Sequence, residues 1–291
     1  MYHELRERGT RPRACVIGHP VAHSRSPLLH GYWLKTLGIA GAYERADVPE
    51  PDFANFLRDL RRQGYVGANI TVPHKEAAFR LVDRRDEAAQ AIGAVNTVWY
   101  ENDRLVGGNT DAYGFIAHLD ASLPRWHETT HRAVVLGAGG AARAVVHALL
   151  ARGIEIALVN RTLARAQDLA AHFSQWISAE SFAQLPQRLG RADLVVNTTS
   201  LGMIDKPALE LDLAPLKPAA IVYDIVYVPL ETEFLRAARA RGHRTVDGLG
   251  MLLHQAVPGF ARWFGVTPSV TPELKSLIES DIHAKTGLAG H

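Results

Sequence analysis

"AVVLGAGGAARAVVHALLARG", Ala133–Gly153, decides the fold. Val134, Val135 and Leu136 read as a buried strand, and the alanine-rich run after the glycines reads as a helix. Gly137, Gly139 and Ala142 occupy the G-x-G-x-x-G/A positions between them. Gly137 permits the tight turn, Gly139 lets backbone approach a pyrophosphate, and Ala142 lets helix and strand pack closely. The helix N-terminus then faces the phosphates. A glycine pattern alone is weak, because any tight turn can carry one. Here the flanking strand and helix supply the context of a dinucleotide site.

The next strand selects the cofactor. An NAD site wants Asp or Glu about 20 residues on, to accept from the ribose 2′-OH. "IEIALVNRTLAR" ends instead in Asn160, Arg161 and Thr162, with Arg165 one turn further. The arginines lie i, i+4, and guanidinium forks suit phosphate oxygens. The expectation is NADP over NAD, against the alternative of an ordinary surface arginine pair.

Outward from this stretch, short apolar runs alternate with helical patterns. "RACVIG" precedes "SPLLHGYWLKTLG", and "YVGANITVP" precedes one long helical pattern, "KEAAFRLVDRRDEAAQAIG". "AVNTVWYENDRLVGGNTD" reads as paired strands turning at Asn102-Asp103. "PRWHETTH" reads as a polar linker, after which the alternation restarts. Such alternation implies βαβ units. The expected fold is α/β, with two domains of mostly parallel open sheets and flanking helices. Residues 1–118 with 249–291 form the substrate-binding and catalytic domain. Residues 119–248 form a Rossmann-type NADP-binding domain, with the active-site cleft between the two. Near the C-terminus, Leu253, Val257, Phe260 and Phe264 make an apolar helical stripe, which Pro258 is expected to break or kink.

With 291 residues, 47% hydrophobic, the chain can bury two cores. Its net charge of +2 is near balance. Arg6, Arg8, Arg11 and Arg13 are interrupted by Glu4 and Glu7, so a solvated tail is expected and no nucleic-acid arm. The single cysteine, Cys15, lies in the first strand and reads as a buried thiol. No secretory leader or membrane span is recognisable, and the expectation is a cytoplasmic chain acting on a small molecule. "HETTH" (His127–His131) fits a zinc-protease pattern, but that motif needs a helix and here lies in the linker. No metal is expected.

The N-terminal half places polar residues at strand ends, where open α/β sheets bind ligands. "ANITVPHK" holds Asn69, Thr71 and Lys75, with Pro73 ending the strand so that Lys75 heads a helix. "GAVNT" supplies Asn96, which alone is more often a turn residue. "GGNTD" supplies Asp111, which alone is more often a helix N-cap. "GHPVAHSRSPLLH" (Gly18–His30) crowds three histidines and two serines into one loop. Metal binding is disfavoured, since no carboxylate or cysteine joins the histidines. Pro27 suits a first helical turn and Ser26 an N-cap. If Arg25 is extended, Ser24 and Ser26 project to one side and can hold a carboxylate, with His23 orienting the loop.

These segments, with "NTTSLGM", "DIVYVPLET" and "DGLGMLLHQA", together resemble shikimate dehydrogenase, in order and over nearly the whole chain. The resemblance implies reversible NADPH-dependent reduction of 3-dehydroshikimate to shikimate, on the route to aromatic amino acids. It implies that Lys75 is the catalytic acid/base, with Asp111 beside it. Ser24, Ser26, Asn69, Thr71, Asn96, Tyr227 and Gln255 would contact substrate. Gly137, Ala138, Gly139, Gly140, Ala141, Asn160, Arg161, Thr162 and Arg165 would bind the cofactor. Glu87, Ile225 and Gly248 would contact the nicotinamide half or close the cleft. Asn197, Thr198 and Thr199 would lie near the cofactor or serve as turn residues. Reducing a ketone needs hydride on carbon and a proton on oxygen, and Lys75 can supply the proton. A free lysine is a poor base at neutral pH. A neighbouring carboxylate favours its charged form and desolvation opposes it. The rival readings are a quinate/shikimate dehydrogenase with broader substrate or cofactor use, a folate-type methylene dehydrogenase, and a non-catalytic NADP-sensing regulator. The chain would act as a monomer or homodimer.

Overall fold

Twelve strands among the described residues fall into two six-stranded sheets. The computed structural model describes residues 11–173 and 176–287. Arg6 and Arg8 of the expected tail therefore lie outside the described residues. Arg13 does not belong to a tail. It opens the first strand, pairs with Glu44 at 2.7 Å and lies over the Tyr65 ring. The chain divides into one unit running up to Asp111 and including Leu253–Ile278, and a second formed by Ala112–Leu252 with the residues from Glu279.

The first unit's sheet has the order β2-β1-β3-β5-β6-β4. Its strands are β1 (Arg13–Gly18), β2 (Ala42–Asp47), β3 (Tyr65–Ile70), β4 (Arg84–Arg85), β5 (Thr97–Glu101) and β6 (Arg104–Gly108). It is mostly parallel, as expected, with β4 also pairing parallel with β6, but it takes in one strand of opposite sense. β1, β2 and β3 run parallel, while β5 pairs antiparallel with both β3 and β6. β6 returns antiparallel to β5 through the hairpin at Asn102 and Asp103, both at positive φ (47° and 65°). Two successive left-handed residues make the tight turn whose twist matches the strands it joins. β3 is buried at every residue, as a central strand covered on both faces should be.

Two helical expectations need correction. Lys75–Gly93 is not one helix. It is α3 (Lys75–Leu81) and α4 (Glu87–Ile92), separated by β4. Buried Val82 and the strand pairing of Arg84 and Arg85 interrupt it. The Asp86 carboxylate restarts the helix by accepting from Ala89 N at 2.7 Å. Conversely, Pro258 does not break α10, which runs unbroken over Leu249–Phe264. The stripe Leu253, Val257, Phe260 and Phe264 is buried. Trp263 donates from Nε1 to Val98 O at 2.9 Å, and a Cβ on Gly67 would lie only 2.1 Å from that nitrogen. A buried indole removes on the order of 200 Å² from water, ~5 kcal/mol before entropy, so this contact pins α10 firmly to the sheet.

The second unit's sheet is parallel throughout, in the order β12-β11-β10-β7-β8-β9. The strands are β7 (Arg132–Leu136), β8 (Glu155–Val159), β9 (Ile177–Glu180), β10 (Leu194–Asn197), β11 (Ile221–Asp224) and β12 (Arg244–Val246). This is the doubly wound order, with the switch point where β7 lies between β8 and β10. Helices α6 (Gly140–Leu150), α7 (Leu163–Phe173) and α9 (Glu233–Ala240) connect strands, and Val134, Leu136, Val159, Val195, Val222 and Phe234 lie in its core. The stretch expected to be a polar linker is anchored. Trp126 is buried in a short 3-10 turn, donating to Asp120 Oδ1 at 2.7 Å.

Candidate active site

In the first unit, Lys75 stands at the head of α3, just past the end of β3. Val95 N donates to the Lys75 carbonyl at 3.0 Å, tying this helix start to the loop before β5. Asp111 opens the helix α5 (Asp111–Ser122). It is the first helical residue, not a cap, and its carboxylate turns to Lys75. Lys75 Nζ donates to Asp111 Oδ2 at 2.5 Å, and Asn96 Nδ2 donates to Oδ1 at 2.8 Å. The pair is largely buried, with side chains 23% and 11% exposed. A carboxylate held on both oxygens has little freedom, so Nζ is placed with similar strictness.

Asn96 is buried, and its Oδ1 accepts from Thr110 N at 2.9 Å and Thr97 Oγ1 at 2.9 Å. Asn69, near the end of β3, is buried too. Its Oδ1 accepts from the Tyr43 hydroxyl at 2.6 Å, and its Nδ2 donates to Thr97 Oγ1 at 3.1 Å. Thr110 Oγ1 donates to Gln255 Oε1 on α10 at 3.5 Å. Thr71 is half-buried just beyond β3, its N donating to Ile17 O, and a Cβ on Gly18 would meet its methyl at 2.4 Å. The structure thus gathers Lys75, Asp111, Asn96, Asn69 and Gln255 into one network. Thr97 and Thr110 belong to it and were missed by sequence reasoning. Thr97 follows the singled-out Asn96 and Thr110 precedes the singled-out Asp111, and that adjacency was the available signal.

The Gly18–His30 loop differs from expectation. Arg25 is in the helical region (φ −92°, ψ −3°), so the extended geometry expected for the two serines is not adopted. Ser26 is not an N-cap; it is the first residue of α1 (Ser26–Thr36), with Pro27 following. Ser24 is half-buried and its Oγ accepts from Ser26 N at 3.3 Å. His23 is exposed and makes no hydrogen bond among the described residues, so it does not orient the loop there. Arg45 does, donating from Nε and Nη2 to Ser24 O at 3.2 and 2.6 Å, and His19 pairs with Asp47 at 2.9 Å. His30 is wholly buried, and burial pushes its pKa down to about 3. Among the described residues no three His, Cys, Asp or Glu side chains are grouped to hold a metal ion.

In the second unit, Gly137 has φ +105°, and a Cβ there would lie 2.8 Å from Thr198 Oγ1. Both conditions demand glycine. Gly139 and Gly140 would meet nothing within 4 Å, so their backbone faces open space. Gly139 caps α6 without a side-chain hydrogen bond, leaving first-turn N–H groups of Gly140, Ala141 and Ala142 for a ligand. Ala138 and Ala141 are half-buried beside them, and Ala142 is buried. Asn160 Nδ2 donates to Thr162 O at 2.9 Å, closing the turn after β8. Arg161 lies in that turn and Arg165 in the first turn of α7; both are exposed, and neither has an ion-pair partner among the described residues. An open amide-lined turn beside two unpaired guanidinium groups fits a phosphorylated dinucleotide.

Asn197 ends β10, and Thr198 and Thr199 form the turn after it. Asn197 is fully buried and donates to Asp224 Oδ1 at 2.9 Å and to Leu201 O. Thr198 Oγ1 donates to Leu136 O at 2.6 Å, which fixes this loop against the glycine turn. Asp224 also accepts from Val226 N and Thr232 Oγ1, and burial raises its pKa to about 6. Gly248 is required by contact, since a Cβ would fall 2.1 Å from Ile225 O. Ile225 and Tyr227 are half-buried in the loop after β11, and Glu87 is exposed at the head of α4.

Three family models match in order. They are the shikimate dehydrogenase substrate binding domain over residues 16–98, shikimate / quinate 5-dehydrogenase over 122–225, and the shikimate 5'-dehydrogenase C-terminal domain over 248–272. A shikimate dehydrogenase (NADP(+)) of Chelativorans sp. is 57% identical over 273 residues, covering 94% of this chain and 97% of that protein. The chain belongs to the shikimate dehydrogenase family.

Another shikimate dehydrogenase (NADP(+)), from Brucella abortus, is 55% identical over 279 residues, 94% of this chain and 96% of its own. The Thermus thermophilus shikimate 5-dehydrogenase, solved in complex with NADP(H) and shikimate, is 39% identical with a TM-score of 0.82, covering 94% of this chain and 99% of its own. A Corynebacterium glutamicum quinate dehydrogenase in complex with NAD is also similar, at 33% identity and a TM-score of 0.86, covering 93% and 99%. Shikimate dehydrogenases and a quinate dehydrogenase thus share this backbone, so cofactor and substrate preference within the family must lie in side chains.

Proposed function

We propose that this protein catalyses the reversible NADP-dependent interconversion of 3-dehydroshikimate and shikimate. The observation that carries the reading is the Lys75–Asp111 pair, held at 2.5 Å at the carboxyl-terminal end of the first unit's sheet. The glycine turn would hold NADPH, which would supply the hydride for the carbonyl carbon. Lys75 gives its Nζ proton to the oxygen as that bond forms, and takes it back in oxidation. Asp111 holds the ammonium through Oδ2 and is itself held by Asn96 through Oδ1. The polar groups around it, from Asn69, Thr71, Asn96, Thr110 and Gln255, bind the substrate hydroxyls. Ser24, Ser26 and Tyr227 hold its carboxylate. Gln255 is tied to the asparagine network through Thr110, which supports its part in this set.

The first unit is the substrate-binding and catalytic half. The second binds NADP through backbone N–H groups at the start of α6, with Arg161 and Arg165 on the 2′-phosphate, and Ile225, Gly248 and Glu87 serve the nicotinamide half. The absence of a carboxylate after β8 supports NADP over NAD. Among the described residues no helix is long and apolar enough to cross a membrane. We place the enzyme in the cytoplasm, as a monomer or homodimer that sedimentation distinguishes. The test is initial-rate NADPH formation from shikimate and NADP+, repeated with quinate and with NAD+. The expected result is efficient turnover with the first pair and loss of efficiency with each substitution. Equal or better turnover with quinate and NAD+ contradicts the reading, and no turnover with any pair leaves a sensor.

A further inference from the structure

A chain of buried side chains lies behind the Lys75–Asp111 pair, and one end of it has no part in binding or chemistry. That end is Tyr43, on the edge strand β2 but only 8% exposed. Its ring stacks on His30, with centroids 3.9 Å apart and planes at 11°. His30 is neutral in its buried site, and burial keeps the Tyr43 phenol protonated. The hydroxyl is therefore a donor, and it donates to Asn69 Oδ1 at 2.6 Å.

That bond opens a connected series of hydrogen bonds. With Oδ1 turned to Tyr43, Asn69 Nδ2 points the other way and donates to Thr97 Oγ1 (3.1 Å) and Asn96 O (3.3 Å). Thr97, accepting from Asn69, donates its own proton to Asn96 Oδ1 at 2.9 Å. Asn96 Oδ1 is thus fixed as an acceptor, and its Nδ2 is left to meet Asp111 Oδ1 at 2.8 Å. Asp111 Oδ2 holds Lys75. Thr110 N also donates to Asn96 Oδ1 at 2.9 Å and holds the same amide orientation from its other side. An asparagine amide turned over at either step would set oxygen against oxygen, against Asn96 O in one case and the Asp111 carboxylate in the other.

We propose that Tyr43 is a positioning residue for catalysis: its hydroxyl anchors the far end of the Asn69–Thr97–Asn96 relay that orients the Asp111 carboxylate and, through it, Lys75 Nζ. This rests on the acid/base reading of Lys75. A purely packing role for Tyr43 is the competing account, and Tyr43→Phe separates the two because it keeps the stacked ring and removes the proton.

The test uses the full-length enzyme with shikimate and NADP+, comparing Tyr43→Phe, Thr97→Val, Thr97→Ser and Lys75→Ala. Thermal unfolding and NADP+ binding check the fold. Tyr43→Phe and Thr97→Val should each lower kcat about tenfold, the worth of a hydrogen bond to a charged group's support. Both should move the pH profile of kcat and leave KM for NADP+ unchanged. Thr97→Ser, which restores the hydroxyl, should recover kcat. The Tyr43→Phe/Thr97→Val double variant should be no slower than the slower single. A folded Tyr43→Phe with wild-type kcat and pH profile overturns the proposal, as does a Thr97→Ser as impaired as Thr97→Val. If Tyr43→Phe does not fold, the Thr97 pair decides. Wild-type kcat in Lys75→Ala defeats the acid/base reading; an inactive Lys75→Ala beside wild-type Tyr43→Phe and Thr97→Val defeats the relay alone.

Discussion

At the scale of single residues, the proposed preference for NADP rests on two arginines. Arg161 and Arg165 are exposed and have no ion-pair partner among the described residues, so their charge is available to a phosphate. Replacing both with alanine should raise KM for NADP+ by one to two orders of magnitude, since a charge-assisted hydrogen bond contributes about 1.5–3 kcal/mol. Turnover with NAD+ should barely change, and an equal loss with both cofactors would remove the arginines from the 2′-phosphate. Gly137→Ala acts by strain. It forces a side chain onto φ +105° and places a methyl 2.8 Å from Thr198 Oγ1. NADP+ binding, followed by protein fluorescence, should be lost, and retained affinity would show that the turn can relax. The tight glycine turn and the arginine pair after β8 were legible in the sequence, because glycine and arginine stand out by type and spacing. The fate of the histidines was not. His19, His23 and His30 share one loop but end on a carboxylate, in solvent and in an aromatic stack. The same loop holds Arg25 in a helical conformation, although Pro27 two residues on gave no reason to expect it.

At the scale of elements, the sequence revealed the interior and concealed the edges. β1, β3, β7, β8, β10 and β11 are apolar runs buried against helices, and their periodicity is plain. The strands not foreseen, β2, β4, β9 and β12, are the four sheet edges. Edge strands are short and half-polar, which protects them from pairing with other chains and also hides them from a hydrophobic pattern. Trp126 is the one apolar residue in a polar stretch, so the spacing gave no sign of its burial. Trp126→Ala should cost about 3–5 kcal/mol of stability by urea unfolding; a cost under 1 kcal/mol would mean the ring is not part of the core. Asp224 ties the loops after β10 and β11, and its pKa is raised from 3.8 to about 6 by burial. A carboxyl with a raised folded pKa contributes most below its unfolded value, and that contribution is lost as pH rises through about 4 to 6. Asp224→Asn should flatten the stability profile in that window by about 2–3 kcal/mol. A profile unchanged by the substitution would show that the hydrogen bonds to Asp224 already offset its desolvation.

Across the whole molecule, each unit gathers its own cluster of groups. The first brings Lys75, Asp111 and the asparagine–threonine network together on the ends of β3, β5 and α5. The second presents an open glycine turn at the switch point of a parallel sheet. Because each site is assembled from residues far apart in sequence, spacing named the participants but not their contacts. The pairing of Asn96 with Asp111 and of Asn69 with Tyr43 depends on the antiparallel β5–β6 hairpin and the β1–β2 pairing, which set the register. The account's central claim is that Lys75 is the proton donor and acceptor. It is tested most directly by kcat for NADPH formation from shikimate in Lys75→Ala. The prediction is a fall of about 10²–10⁴-fold, with KM for NADP+ unchanged. A kcat near wild type with a raised KM for shikimate would contradict it and make Lys75 a binding residue.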